Sequence, residues 1–221
     1  MNSVLLKKDK LFPFIKQYLP DNPIIVEAGA FNGTDTKLLS QFWPQATVHA
    51  FEPVPEIFTL LSNNTYSLSN VVRHNIALSD ANGERTFYLS EKPSAPGKPF
   101  PAGSLHEPQD RLQWSPAVYN RTIIVPTITL DAWARAHAIH HIDFLWLDLQ
   151  GHELSVLKAA PTILATVRTI YVEVQFVHAY KDQPLYEEVR NWLEEHGFVQ
   201  VAHDFADQTS WFFGNALFVR S

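Results

Sequence analysis

The chain has 221 residues, no cysteine, a formal net charge of -6, 46% apolar residues and 18% charged residues. That suits one large globular domain with a substantial core. It excludes disulfides, thiolate metal sites and a cysteine nucleophile, and it argues against a basic nucleic-acid footprint.

The N-terminal stretch "MNSVLLKKDK" has only a short apolar run before its lysines, too little for a signal peptide, so a cytoplasmic location is expected. No apolar stretch approaches the roughly 20 residues of a membrane span. Residues 1–22 are expected to form a helical extension, with apolar side chains from Leu11 to Leu19 on a helical period. "PIIVEAGA" follows as a continuous apolar strand, as expected of a strand covered on both faces. A helix over 34–42, a strand "ATVHAFEP", a helix "EIFTLLSNN" and a strand "NVVRHNIAL" continue the alternation. This pattern predicts a parallel sheet with helical crossovers.

"ERTFYLS" and "TIIVPTITL" are extended runs. Between them, the segment 91–120 carries six prolines and is expected to form an irregular loop or lid. After a short helix over 130–138, "HIDFLWLDL" is an apolar strand, "ELSVLKAAPTIL" a helix and "VRTIYVEVQF" a strand. "LYEEVRNWLEEHG", "FVQVAHDF" and "WFFGNALFVR" complete the chain as a helix and an antiparallel pair. The expected fold class is α/β. The sheet is Rossmann-like and seven-stranded, mostly parallel with a C-terminal antiparallel hairpin, with helices on both faces. One domain over 1–221 is expected.

The chemistry starts at "IIVEAGAFNGTDT". A strand that enters a helix through a small-residue turn exposes backbone N–H groups to a polar ligand. Glu52 ends the next strand about 20 residues on, where an acid in nucleotide-binding α/β folds accepts hydrogen bonds from both ribose hydroxyls. Glu27 precedes the turn and would repel a pyrophosphate but attract a cation. S-adenosylmethionine (SAM), which has no phosphate, fits better than NAD. The expected cofactor residues are Glu27, Gly29, Ala30, Asn32, Gly33, Thr36, Glu52, Pro53, Asn75, Ala77 and Asp148.

The sequence also resembles the FkbM family of SAM-dependent methyltransferases, from about Ile24 to Phe198. "VEAGAFNGTDT", "VHAFEPVPEIFTLLSNN", "HNIALSD" with "GERTFYLS", "AGSLHEP" and "DFLWLDLQGHELSVLKAA" carry the resemblance. The last is the most specific. Gln150 stands where many members have Glu, and Ala160 near the place where many have glycine. The resemblance implies the seven-stranded methyltransferase fold, SAM as donor and S-adenosylhomocysteine as product. It also implies O-methylation of a hydroxyl on a small molecule or sugar. A NAD-linked oxidoreductase and a non-catalytic SAM-binding module are the alternatives.

Candidate catalytic bases are Asp148, Glu173 and His178, with His106 as a further option. Ser104, His106, Gln150 and Tyr180 are expected to meet the acceptor. Trp114, Tyr119 and Phe176 are aromatic candidates for the same surface. Asp148, Glu173 and His178 could also gather a divalent ion, but no metal is favoured. Neither a nucleic-acid nor a membrane partner is expected, and the oligomeric state is left open.

Overall fold

The computed structural model describes residues 3–205 and 212–221. Its elements in chain order begin with β1 (Val4–Leu5), α1 (Leu11–Lys16), β2 (Ile24–Ala28), α2 (Thr34–Phe42), β3 (Thr47–Phe51), α3 (Pro55–Thr65) and β4 (Val71–His74). Next come β5 (Ala77–Leu78), β6 (Gly83–Lys92), β7 (Ala95–Pro99), α4 (Arg111–Trp114), β8 (Val118–Ile128), α5 (Leu130–Ala136) and β9 (Phe144–Leu147). The chain ends with α6 (Glu153–Lys158), α7 (Pro161–Leu164), β10 (Thr169–Gln175), α8 (Tyr186–Glu195), β11 (Phe198–His203) and β12 (Phe213–Arg220).

Eight strands form the main sheet in the order β1-β11-β12-β10-β9-β2-β3-β4. Pairings from β10 to β4 are parallel, and β12 runs antiparallel to both β10 and β11. The seven expected strands are therefore present, and the two-residue β1 adds an eighth at the edge, parallel to β11. Both faces are covered, which explains the uninterrupted apolar runs. In β2, Val26 and Ala28 face one core with Leu145, Ile170 and Leu193. Ile25 faces the other, with Leu39, Trp43, Phe144 and Ile15.

The order reverses between β2 and β9: β3 and β4 continue outward from β2, and β10 from β9. A crevice at the carboxyl ends of the strands is expected at such a switch point.

Three expectations need correction. The N-terminal helix is shorter than expected, Leu11–Lys16, behind a single 3-10 turn over 8–10. The strand expected over 70–78 is divided: β4 stays in the main sheet, while β5 joins a second sheet of order β5-β8-β6-β7. The segment 91–120 is not irregular throughout, because β6 and β8 run into it and β7 and α4 lie within it. Pro96 and Pro99 are tolerated in β7 because it is an edge strand, which need not donate on its outer side. Glu91 holds this hairpin, accepting from Gly97 N at 3.1 Å and from Arg121 at 3.1 Å.

Candidate active site

The crevice forms where β2 and β9 end side by side. Asp148 N donates to the Ala28 carbonyl at 3.0 Å. A Cβ on Gly29 (φ +90°) would lie 1.9 Å from the Asp148 carbonyl oxygen, so this crossing admits only glycine. Gly29 N and Ala30 N both donate to the Phe51 carbonyl, at 3.1 and 2.9 Å. These N–H groups tie the turn to β3 and do not form an anion cradle.

The rest of the turn is equally self-contained. Asn32 Oδ1 accepts from Thr34 N at 3.1 Å and Thr34 Oγ1 at 2.8 Å, closing the turn ahead of α2. Gly33 (φ +82°) lets α2 pack on α3, since a Cβ there would come within 2.8 Å of Leu61. Thr36 Oγ1 donates to Glu27 Oε2 at 2.5 Å. Glu27 is buried, and burial, helped by the nearby Asp35 and Asp148 charges, pushes its carboxyl up to about 8. Ala30, Asn32, Gly33 and Thr36 therefore build the turn and back Glu27. They do not line the cleft, and neither does Glu27 itself.

A cleft of about 750 Å³, its open mouth included, lies above the strand ends. Gly29, Glu52, Pro53, Ala77, Asp148 and Gln150 line it. Apolar walls come from Phe31, Ile76, Leu78 and Leu149, and a roof comes from Phe87 and Leu89 of the second sheet with residues 100–103 and Leu105 after β7. Glu52 Oε1 accepts from Val54 N at 2.8 Å, with a further backbone bond from Phe31. Burial pushes this carboxyl to about 8 as well. The Asn75 amide donates to the Glu52 and Pro53 carbonyls at 2.9 and 3.1 Å. It braces the corner that presents Glu52 and is not among the residues lining the cleft.

"LDLQGHE" is a tight turn from β9 into α6. Gln150 (φ +53°) and Gly151 (φ +100°) both take the left-handed conformation. The Glu153 carboxyl folds back to accept from Leu149 N at 2.7 Å and from Gly151 N, which fixes the turn. Gln150 Nε2 donates to Asp148 Oδ1 at 2.7 Å and Glu173 Oε2 at 2.8 Å. Glu173 also accepts from Gln175 at 2.9 Å. Burial, with the charges of Asp148 and Glu153 added, holds Glu173 well above the usual carboxylate range. It stands behind Gln150 and does not line the cleft.

The expected acceptor residues divide. Ser104 is buried, donating to the Gln150 carbonyl at 2.9 Å. Tyr180 Oη lies 2.9 Å from Gln150 Oε1 and 2.8 Å from the Ala102 carbonyl, so it supports the roof from behind. Tyr119 meets the same carbonyl at 2.8 Å. Phe176 packs on Tyr186 and Phe205, away from the cleft, and the Trp114 side chain lies outside the described residues. His106 borders a separate outer groove.

His178 is exposed and does not line this cleft. It does not join Asp148 and Glu173, and among the described residues no group of three His, Asp or Glu side chains is arranged to hold a metal ion. Sequence reasoning passed over two residues. His152 lines the cleft within the most specific motif. Arg111 is buried with its guanidinium 5.5 Å from the centre of the Tyr180 ring.

Chemically, the cleft offers the buried Glu52 carboxyl for hydroxyl donors, the Asp148 carboxyl beside the strand ends for a cation, and apolar walls for a flat ring. Among the described residues no Lys or Arg lines it. That set fits a phosphate-free, cationic nucleoside such as SAM and does not suit a pyrophosphate.

Comparisons with known proteins agree. The family model described as Methyltransferase FkbM domain matches residues 27–199. The chain is 32% identical to the 2-O-methyltransferase NoeI of Sinorhizobium fredii over 171 residues, covering 76% of this chain and 67% of that protein. It is 25% identical to the hexuronic acid methyltransferase AglP of Haloferax volcanii over 155 residues, covering 70% of this chain and 56% of that one. Among solved structures, the magnesium protoporphyrin IX methyltransferase of Synechocystis with bound SAM superposes with a TM-score of 0.53 at 14% identity, covering 96% of this chain and 77% of that one. That is a likeness of fold. The chain belongs to the FkbM methyltransferase family and is a SAM-dependent methyltransferase with a Rossmann-like fold.

Proposed function

We propose that the chain transfers the methyl group of SAM to a hydroxyl of a sugar or a small sugar-like molecule. The observation that carries this reading is the cleft at the switch point, with Glu52 and Asp148 on its floor and an apolar roof from the second sheet. Glu52 receives the ribose hydroxyls. Asp148, backed by Glu27 and held by Gln150, faces the cationic tail. When bound, SAM supplies an activated methyl group. The chain's own work is to align the acceptor, exclude water and remove a proton. Glu173 acts through Gln150 as a positioning residue. The names of NoeI and AglP support a hydroxyl and a sugar acid as acceptor chemistry. The net charge of -6 speaks against a nucleic-acid acceptor.

Residues 100–105 form the part of the lid that the acceptor passes, and no metal is required in this reading. Among the described residues no helix is long and apolar enough to cross a membrane. One methyltransferase domain working in the cytoplasm is the proposed setting.

The test is transfer of isotope-labelled methyl from SAM to a panel of methyl glycosides of hexoses, pentoses and hexuronic acids, read by mass spectrometry. Label on a sugar oxygen is the expected result. Binding of SAM with no labelled glycoside would overturn the sugar reading.

A further inference from the structure

Methyl transfer to a hydroxyl leaves a proton over. The sulfur–carbon bond of the donor breaks with its electron pair on sulfur, an oxygen–carbon bond forms, and the hydroxyl hydrogen departs as H⁺. A side chain in the cleft that takes this proton assists the transfer. Among the described residues, three titratable side chains line the cleft: Glu52, Asp148 and His152. Glu52 is bound to backbone N–H groups, and Asp148 to the Gln150 amide.

His152 differs because it belongs to a row of hydrogen-bonding groups that leaves the cleft. Its Nδ1 lies 3.0 Å from His106 Nε2. Its Nε2 lies 3.1 Å from Ser79 Oγ. Ser79 Oγ also lies 3.0 Å from Asp80 Oδ1, which is 3.7 Å from His152 Nε2. Ser79 therefore suits both states of the ring, donating to Nε2 when it is bare and turning to Asp80 when it carries hydrogen. His106 has a backbone bond with Lys181 and borders an open groove with Arg85, Glu107 and Asp182. His152 is buried, and His106 is half-buried at the surface end.

We infer that His152 takes the proton of the acceptor hydroxyl and that His106 passes a proton on to the outer groove. The inference rests on the hydroxyl-methylation reading above. A proton arrives at His152 Nε2, directly or through Ser79 Oγ, while the Nδ1 hydrogen crosses to His106 Nε2. His106 then releases its Nδ1 hydrogen to water. Both rings end neutral, and exchange with solvent restores their starting tautomers. His152 is the catalytic residue and His106 the outlet.

The surroundings keep both rings uncharged, so each has a bare nitrogen at neutral pH. Burial lowers both imidazoles, His152 to about 4, with Arg85 acting in the same direction and Asp80 against it. Asp182 adds to the opposing side at His106.

Two measurements test the inference on the whole chain. In the complex with S-adenosylhomocysteine, ¹⁵N signals of the two imidazoles are followed against pH. They are expected to titrate as one coupled pair, and His106→Gln is expected to move the His152 midpoint. Independent titrations, untouched by His106→Gln, would overturn the shared bond. With the methyl glycoside that becomes labelled, His152→Asn is expected to lower kcat about 100-fold with KM for SAM unchanged. His106→Gln is expected to lower it about 10-fold and shift the acid limb of the pH profile. Unchanged kcat and pH profile in both variants would sink the role. If no glycoside is labelled, the sugar reading has failed, and the ring titrations alone decide the relay.

Discussion

The amide nitrogen of Gln150 donates to Glu173 at 2.8 Å while holding Asp148 at 2.7 Å. A neutral donor thus separates two carboxyls at the ends of β9 and β10. Glu at this position, common in the family, would put a third carboxyl into the same buried space. Gln150→Glu is expected to cost about 2–4 kcal/mol at pH 7 through buried like charge. The loss should shrink at pH 5, where a shared proton replaces the amide hydrogen. Urea unfolding at the two pH values checks this, and an equal loss at both would contradict it.

Glu52 should govern the donor's affinity. Glu52→Ala is expected to weaken SAM binding by about 1–3 kcal/mol through lost charge-assisted hydrogen bonds. Its carboxyl sits at about 8 in the free protein, so hydroxyl donors that favour the ionised form should expel a proton on binding. Calorimetry in buffers of different ionisation enthalpy should show proton release at pH 7, reduced in Glu52→Gln. The same release in both proteins would remove Glu52 from the ribose site.

Gly29 has no room to change. A methyl group there would overlap the Asp148 carbonyl, and its φ of +90° is strained for any other residue. Gly29→Ala should lose about 3 kcal/mol or more of stability. A melting temperature within a degree or two of the parent would show that β2 and β9 can separate more easily than their contact implies.

Two sets of buried groups give the ligand-free protein opposing pH dependences. His49, His74 and His152 are lowered by burial from 6.5 to about 4. Their contribution is whole above 6.5 and is lost as pH falls toward 4. Burial raises Glu27 and Glu52 from 4.5 to about 8, and Glu153 to about 7. Theirs is whole below 4.5 and is lost as pH rises through 7 to 8. From 4.5 to 6.5 the sets oppose each other; above 6.5 only the carboxyls act. Tm should therefore decline from pH 6.5 to 8, and Glu27→Gln should flatten that decline. A Tm that rises across the interval would refute the assignment.

The roof makes a further prediction. If residues 100–105 are the acceptor's way in, limited proteolysis should cut within 91–120 faster in the free protein than with S-adenosylhomocysteine and acceptor together. Equal cutting rates would argue for a fixed roof.

Much of this was visible in the sequence, for local reasons. β2, β3, β9 and β10 announce themselves because strands covered on both faces are apolar throughout, and Glu52 stands at a strand end that chain order alone locates. What escaped depends on partners distant in sequence. The strand over 70–78 divides where Asn75 is drawn to the Glu52 and Pro53 carbonyls. The bonds and packing of Asn32 and Gly33 within the turn could not be read from spacing, because a self-bonded turn and a ligand loop use the same residues. Gly29 is plain as a glycine, but its reason, the Asp148 carbonyl, lies far along the chain. His152 gains its interest only from His106, 46 positions away.

The chain's passage from β4 into β5 has a wider consequence. Floor and roof of the cleft belong to different sheets, each with its own hydrogen-bond register. The β6–β8 hairpin can lengthen, shorten or change its inward side chains without shifting a pairing in the main sheet. Floor and roof are joined above the strand ends, where Ser104 donates to the Gln150 carbonyl and Tyr180 to the Ala102 carbonyl, so an exchanged roof must keep those bonds. A chimera that exchanges only the segment from Gly83 to Ile128 is the natural way to retarget the enzyme.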